Sequence, residues 1–221
     1  SFIQSLMDHQ EKLHMTLGRK RLFSSIGVHD MSKLNPPFRY VSVSGDFSFT
    51  PLSSEREMTI SEVLASHPKG IEYSSLMEGL GSYPLILDAN DEVISFPPII
   101  NGAHTTVTDN TTDFFIDVTG VDERACEACL LLICLSLSEL GGNVESVEIT
   151  GWDGVVRTTP NFENKAHRVP NQLVEKILGV KLNDQEIAQA ISKMGGKLIE
   201  SRTVTDGSER QERWADCVVG E

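Results

Sequence analysis

No stretch of this chain approaches the roughly 18 consecutive apolar residues that a membrane-spanning helix requires. The amino-terminal segment is amphipathic rather than a continuous apolar run, so it does not read as a secretory signal either. Basic residues are scarce: 19 Lys and Arg stand against 32 Asp and Glu, a formal net charge of −13. That balance argues against broad, independent nucleic-acid binding, which needs cations to displace condensed counterions. It leaves room for a narrow contact with one RNA end. Four cysteines in 221 residues do not suggest a disulfide scaffold. There is no phosphate-cradling glycine loop, no paired-histidine zinc helix and no serine nucleophile elbow. A cytoplasmic protein is the expectation. The chain opens at Ser1 and stops in "ADCVVGE", and we read it as a piece of a longer protein.

What is present is an ordinary globular composition, 39% hydrophobic and 23% charged. Phe2, Leu6, Leu13 and Leu17 recur at helical spacing and predict an amphipathic helix from residue 1 to about 24. Arg19, Lys20 and Arg21 then read as its solvated face, and "GVHD" as its break. "RYVSVSGDFSF" alternates as a strand does. Thr59 and Glu62 fit a capping box at a helix start. "PLILD" and "EVISF" flank a turn and predict a hairpin. "DFFIDVTG" is a strand, followed by one long helix from Asp122 to Leu140 that Gly141 and Gly142 close. "VESVEIT" and "VVRTTP" predict a second hairpin. "NFENKAHR" reads as a linker. After it come two short helices, one ending at Gly179 and one capped by Asn183 with Glu186 three residues on. Strands follow, with Asp206 and Gly207 as a turn candidate. The fold class is mixed α/β: a layered β-sandwich with helices on one side over residues 1–160, then a small α+β module over 161–221.

Cys126 and Cys129 form a C-x-x-C without a second pair at metal spacing. Inside a leucine-rich helix they read as small buried hydrophobes. His29 beside Asp30 could be an oriented imidazole or a loop hydrogen bond. Asp117 and Thr119 alternate with Ile116 and Val118, so in a strand they share one side. Thr119 could cap the next helix or, with Asp117, face a ligand. Ser95 is the polar residue of "VISFPP". Asn101 and Gly102 could form a plain turn or expose N–H groups to an anion.

The run "YPLILDANDEVISFPPIINGAHTTVTDNTTDFFIDVTGVD" resembles the editing domain of the phenylalanyl-tRNA synthetase β subunit, in its archaeal and eukaryotic branch. "VPNQLVEKILGVKLNDQEIAQAISKMGGKL" is similar to the start of the module that follows that domain. The resemblance implies hydrolysis of tyrosine wrongly esterified to the phenylalanine tRNA. An apolar pocket rejects an added hydroxyl only weakly, by about a hundredfold, so a second site must bind that hydroxyl instead. Carried over by position, the resemblance implies that Leu85 and Ser95 line the pocket. Asp117 and Thr119 would read the tyrosyl group or hold the attacking water. Asn101 and Gly102 would shape the wall near the ester. It implies the phenylalanine tRNA and the synthetase α subunit as partners, in an α2β2 assembly. No cofactor is expected in this chain, and ATP and Mg2+ belong to the complete synthetase. The alternative is a non-catalytic scaffold that binds tRNA or a subunit. That reading requires Asp117, Thr119 and Ser95 to be mutually satisfied with no cavity between them.

Overall fold

A computed structural model describes residues 1–163, 165–205 and 211–219. The backbone divides into two compact units, Ser1–Pro160 and Asn161–Glu221. The mixed α/β class holds, with all strand pairings antiparallel.

In the first unit α1 spans Phe2–Met15 and is followed by β1, Ser24–Asp30. Next come β2 Arg39–Val43, β3 Ser48–Phe49, β4 Met58–Thr59, α2 Ile60–Ser66 and α3 Pro68–Tyr73. Then follow β5 Tyr83–Leu87, β6 Val93–Phe96, β7 Ile100–Asn101 and β8 Phe114–Gly120. The unit closes with α4 Glu123–Glu139 and the hairpin of β9 Val147–Thr150 and β10 Val156–Thr159. β1 pairs with β8 as a two-stranded ribbon, while β2, β5, β6 and β7 form a four-stranded sheet in that order.

Several boundaries follow directly from the chain. Thr59 Oγ1 accepts the Glu62 N–H, and Glu62 accepts the Thr59 N–H, so the capping box starts α2. Asp88 holds the β5–β6 turn by accepting the N–H groups of Asn90, Glu92 and Asn35. Its carboxyl lies below its ordinary range: burial pushes it upward, and the bonds from Asn35 and these amides outweigh that. α4 takes its N-cap from Asp122, which accepts the Ala125 N–H at 2.8 Å. Thr119 is therefore not the cap.

Three expectations fail at the amino-terminal end, for one reason. α1 stops at Met15 rather than near residue 24. Arg19, Lys20 and Arg21 have φ of 46°, 56° and 65°, a left-handed turn and not a helix face. "GVHD" is no break, since it belongs to β1, whose seven residues are all buried. Helical periodicity runs on through Leu17, but the turn closes locally on Lys20 N–H to His14 C=O at 2.8 Å and is tied by Arg21 to the distant carbonyls of Pro98 and Ile99.

The core of this unit has two main parts. Leu6 and Leu13 of α1 and Cys129 and Ile133 of α4 pack on Ile26 and Val28 of β1. Ile116 and Val118 of β8 join them from the same face of the ribbon. Cys129 thus packs as expected, Cys126 is only half-buried, and burial raises both thiols. The larger cluster gathers Phe49, Ile60, Val63, Phe96 and Ile99 around Leu85 and Leu87.

In the second unit β11 Lys165–Pro170 takes over the second half of the expected linker, because its backbone pairs with β13, Gln211–Val219, while residues 161–163 stay outside helix and strand. α5 Asn171–Leu178 ends at Gly179 in a left-handed conformation, and α6 Asp184–Lys193 carries the Asn183–Glu186 capping box. β12, Gly196–Thr205, pairs with the other edge of β13. The turn expected at Asp206–Gly207 lies outside the described residues.

Leu85 is fully buried in the larger cluster. Leu85→Ala should lower unfolding free energy by about 2–5 kcal/mol, as measured by urea denaturation of the chain. A change within ~0.5 kcal/mol would place Leu85 outside the core.

Candidate functional site

The β1–β8 ribbon has two unlike faces because both strands alternate. Ile26, Val28, Ile116 and Val118 turn to α1 and α4. Ser25, Gly27 and His29 fall on the other side, with Thr119 opposite Ser25 and Asp117 opposite Gly27. Asp117 and Thr119 therefore share a face, as their spacing predicts. Thr119 meets the Ser25 hydroxyl at 3.0 Å.

The carboxylate of Asp117 is met by His29, not by Asp30's side chain. His29 Nε2 lies 2.7 Å from Asp117 Oδ2, with the imidazole wholly buried and Asp117 8% exposed. Asp30 caps the turn after β1 instead, accepting from Ser32. The far nitrogen of His29 lies 2.8 Å from Thr105 Oγ1, whose hydroxyl donates to the Gly102 carbonyl at 3.1 Å. Nε2 faces Asp117, and since a carboxylate accepts, the imidazole donates there and fixes its direction.

Gly27 makes this pair possible. A Cβ there would stand 2.2 Å from Asp117 Oδ2 and 2.5 Å from His29 Nε2. Those atoms are locked to each other, so neither can give way.

Beside this pair lies a cavity of about 240 Å³. Asp117, Ser25 and Gly27 form one side, and Ser95, Asn101 and the corner Pro97–Ile100 form another. The third side is Gln10 and Glu11 of α1, with Arg21 from the left-handed turn. Arg21 Nη1 donates to the carbonyls of Ile99 at 2.9 Å and Pro98 at 3.2 Å. Its Nη2 donates to Glu11 Oε1 at 3.0 Å, and its guanidinium lies over the Tyr73 ring at 4.6 Å. Glu11 also accepts from His14 Nδ1, whose other nitrogen accepts the Ile26 N–H at 2.8 Å. The hydrogen bond from His14, and then Arg21, hold the Glu11 carboxyl down at about 2.

The sequence-predicted residues thus divide. Ser95, Asn101 and Asp117 border the cavity, and Thr119 stands behind Ser25. Leu85 does not border it. It shares a face of β5 with Leu87, and that face packs into the apolar core. Gly102 does not border it either, and it is no anion nest. Its N–H is bonded to Ile94 C=O at 2.8 Å, and a Cβ would sit 2.0 Å from Val93 O. The tight turn is the cis Pro97–Pro98 link itself, across which Ile99 N–H reaches Phe96 C=O at 2.8 Å. His104 points elsewhere, with burial lowering its pKa. Sequence reading missed Ser25, Gly27, His29's true partner, Arg21 and Gln10. The signal for the first three was the alternation in "SSIGVHD", which Gly27 disguises as a break. Among the described residues no three His, Cys, Asp or Glu side chains are grouped as ligands for a metal ion would be.

Gly27→Ala should disrupt the His29–Asp117 pair and cost about 1–3 kcal/mol by overpacking. His29→Leu strands a buried carboxylate and should cost about 3–5 kcal/mol. Chemical denaturation measures both, and a neutral Gly27→Ala would show that the pair can separate without loss.

Comparison with known proteins places this geometry. The model of the B3/4 domain matches residues 1–128. Phenylalanine–tRNA ligase β subunits align along most of the chain. That of Archaeoglobus fulgidus is 50% identical over 192 residues, covering 87% of this chain and 35% of the relative. That of Methanococcoides burtonii is 46% identical over 194 residues, covering 88% and 36%. The chain thus spans about a third of the length of these relatives. A crystal structure of an N-terminal fragment of the phenylalanyl-tRNA synthetase β subunit from Pyrococcus horikoshii superposes with a TM-score of 0.83 at 32% identity. That match covers 99% of this chain and 60% of the other. With more than half of its residues under that model, and with these β subunits as its homologues, the chain belongs to the B3/4 domain family.

Proposed function

We propose that residues 1–160 are the editing domain of a phenylalanine–tRNA ligase β subunit, which hydrolyses tyrosine wrongly esterified to the phenylalanine tRNA. Residues 161–221 are then the beginning of the next module. The observation that carries this reading is a cavity with an apolar corner, Pro97 to Ile100, and one buried carboxylate held in place by His29. Such a site suits a phenol: the ring meets proline and isoleucine, and the hydroxyl meets Asp117. Oδ2 of Asp117 is committed to His29, so Oδ1 takes the substrate hydroxyl. Phenylalanine would leave that group unpaired, a cost of about 1–3 kcal/mol.

Asp117 therefore acts in recognition. Its Oδ2 is already engaged by the imidazole, which leaves Oδ1 for the substrate and no free oxygen for a water. Ser25, held by Thr119, lies on the same face of the ribbon and adds a hydroxyl beside the phenol site. Water adds to the ester carbonyl carbon, the bond to the ribose oxygen breaks, and that oxygen leaves with a proton. The products are free tyrosine and intact tRNA. Positioning supplies most of the acceleration. The cavity between Ser95 and Asp117 favours this reading over a scaffold without an active site.

The partners of this reading are the phenylalanine tRNA and the α subunit, in an α2β2 enzyme of the cytoplasm. ATP and Mg2+ serve aminoacylation in the complete enzyme and enter no step here. No helix among the described residues is long and apolar enough to cross a membrane.

The test is deacylation of tyrosyl-tRNA for phenylalanine by the intact synthetase. Asp117→Ala combined with Thr119→Ala should slow it roughly a hundredfold or more, with phenylalanine charging unchanged. An unaltered rate would move the site elsewhere.

A further inference from the structure

Two walls of the cavity belong to separate sheets, and little of a directional kind joins them. Asp117 stands on the β1–β8 ribbon, while Ser95 and Asn101 stand on β6 and β7. Phe115 packs on the cluster of Ile86 and Ile94, which holds the walls together but sets no direction. Among the described residues, one hydrogen bond runs from β1 or β8 to the stretch between Val93 and Thr105. It is the bond between His29 Nδ1 and Thr105 Oγ1, at 2.8 Å. Thr105 also donates to the Gly102 carbonyl at 3.1 Å, and Gly102 directly follows Asn101. Three contacts in series thus run from Asp117 through His29 and Thr105 to the backbone beside Asn101. Thr105 is 1% exposed, His29 is wholly buried, and neither borders the cavity. The series links the two walls without entering the space between them.

The far end of this series is anchored. Gly102 N–H bonds to Ile94 C=O at 2.8 Å, and Ala103 N–H bonds to Thr50 C=O at 2.9 Å. The Val93 carbonyl closes on Gly102 from the side a Cβ would occupy. The near end needs such an anchor. Asp117 Oδ2 takes its bond from one imidazole nitrogen, and the ring keeps that aim only while its other nitrogen is held. Thr105 is the group that holds it.

We propose that Thr105 is a positioning residue that sets the selectivity of the phenol site. Its hydroxyl fixes the imidazole, and through it the free Oδ1 of Asp117, relative to the wall of Ser95 and Asn101. The proposal rests on the editing reading and deepens it, since it names what holds the choice between tyrosine and phenylalanine. A displaced Oδ1 weakens only the contact with the phenol hydroxyl. The tyrosyl ester then loses its advantage. The phenylalanyl ester makes no such contact, so its slow hydrolysis stays as it was. Loss of the Thr105 hydroxyl therefore changes the ratio between two substrates, which is a difference in transition-state binding.

The experiment measures deacylation of the tyrosyl and phenylalanyl esters of the phenylalanine tRNA by the intact synthetase, and reads the ratio of their kcat/KM values. Thr105→Val keeps the branched shape and removes the hydroxyl, and it should lower that ratio about tenfold, through the tyrosyl ester alone. Thr105→Ser keeps the hydroxyl and should hold the ratio within about twofold of the unaltered enzyme. His29→Gln places an amide nitrogen near Nε2 and nothing at Nδ1, so it should match Thr105→Val. The two changes together should be no worse than either, because both cut one series of bonds. Val63→Ala lies in the larger apolar cluster and should lower the unfolding temperature without moving the ratio. An unchanged ratio in Thr105→Val overturns the proposal. An equal fall in Thr105→Ser or in Val63→Ala does so too, because the loss would then not follow the hydroxyl. If Thr105→Val does not fold, His29→Gln decides by the same ratio. The double variant at Asp117 and Thr119 separates the two readings. If it slows tyrosyl deacylation while Thr105→Val leaves the ratio alone, the editing reading stands and the role of Thr105 falls. If it leaves deacylation unaltered, both fall.

Discussion

The hydrogen bond between His29 and Asp117 organises this unit. Both groups are buried on a two-stranded ribbon, and neither could be buried alone at an acceptable cost. Their union depends on an absence, the missing Cβ at Gly27, and on Thr105, which holds the far nitrogen of the imidazole. The carboxylate thereby arrives at the cavity with its direction set before any ligand enters. Such preorganisation distinguishes this carboxylate from a mobile surface acid.

The ribbon's two faces divide the work. The apolar one anchors it to α1 and α4, and the polar one borders the cavity. The cavity's remaining walls come from distant parts of the chain. The corner after β6 is tied by Arg21 to the turn after α1, a link spanning 77 and 78 residues. His14 extends the tie to β1 through the Ile26 amide. Helix, turn, ribbon and corner thus meet in one hydrogen-bonded circuit. That circuit explains why a left-handed run of three charged residues persists: its strain is offset by the bonds that Arg21 makes at its end.

Much of the first unit after its opening helix and ribbon strand was legible in the sequence. The capping box at Thr59, the hairpin around Asp88, the strand "DFFIDVTG" and the long helix after it obey local rules and appear as expected. That Ser95, Asn101 and Asp117 would border one cavity was legible, chiefly through the family resemblance. The start of the chain was not. Helical periodicity through Leu17 has no local stop signal, and the left-handed turn is imposed by contacts with residues far along the sequence. Gly27 mimics a chain break when read locally, yet its reason is a clearance between two side chains on different strands. Leu85 was assigned by the resemblance alone, and its side chain lies in the apolar core with Leu87 and not on the cavity. Gln10 and Arg21 carry no motif at all, because their place on the cavity wall is visible only in three dimensions.

The bond from the Ile26 amide to His14 has a consequence for solubility. A two-stranded ribbon has two outer edges, and an unpaired edge amide is an invitation to any extended chain nearby. The amide at the middle of β1 points away from β8 and is already occupied by an imidazole that is 1% exposed. A foreign strand approaching there meets a ring instead of a free donor. The helix that frames the cavity therefore also guards its most apolar ribbon against edge-to-edge aggregation, with one side chain standing where another strand would otherwise dock.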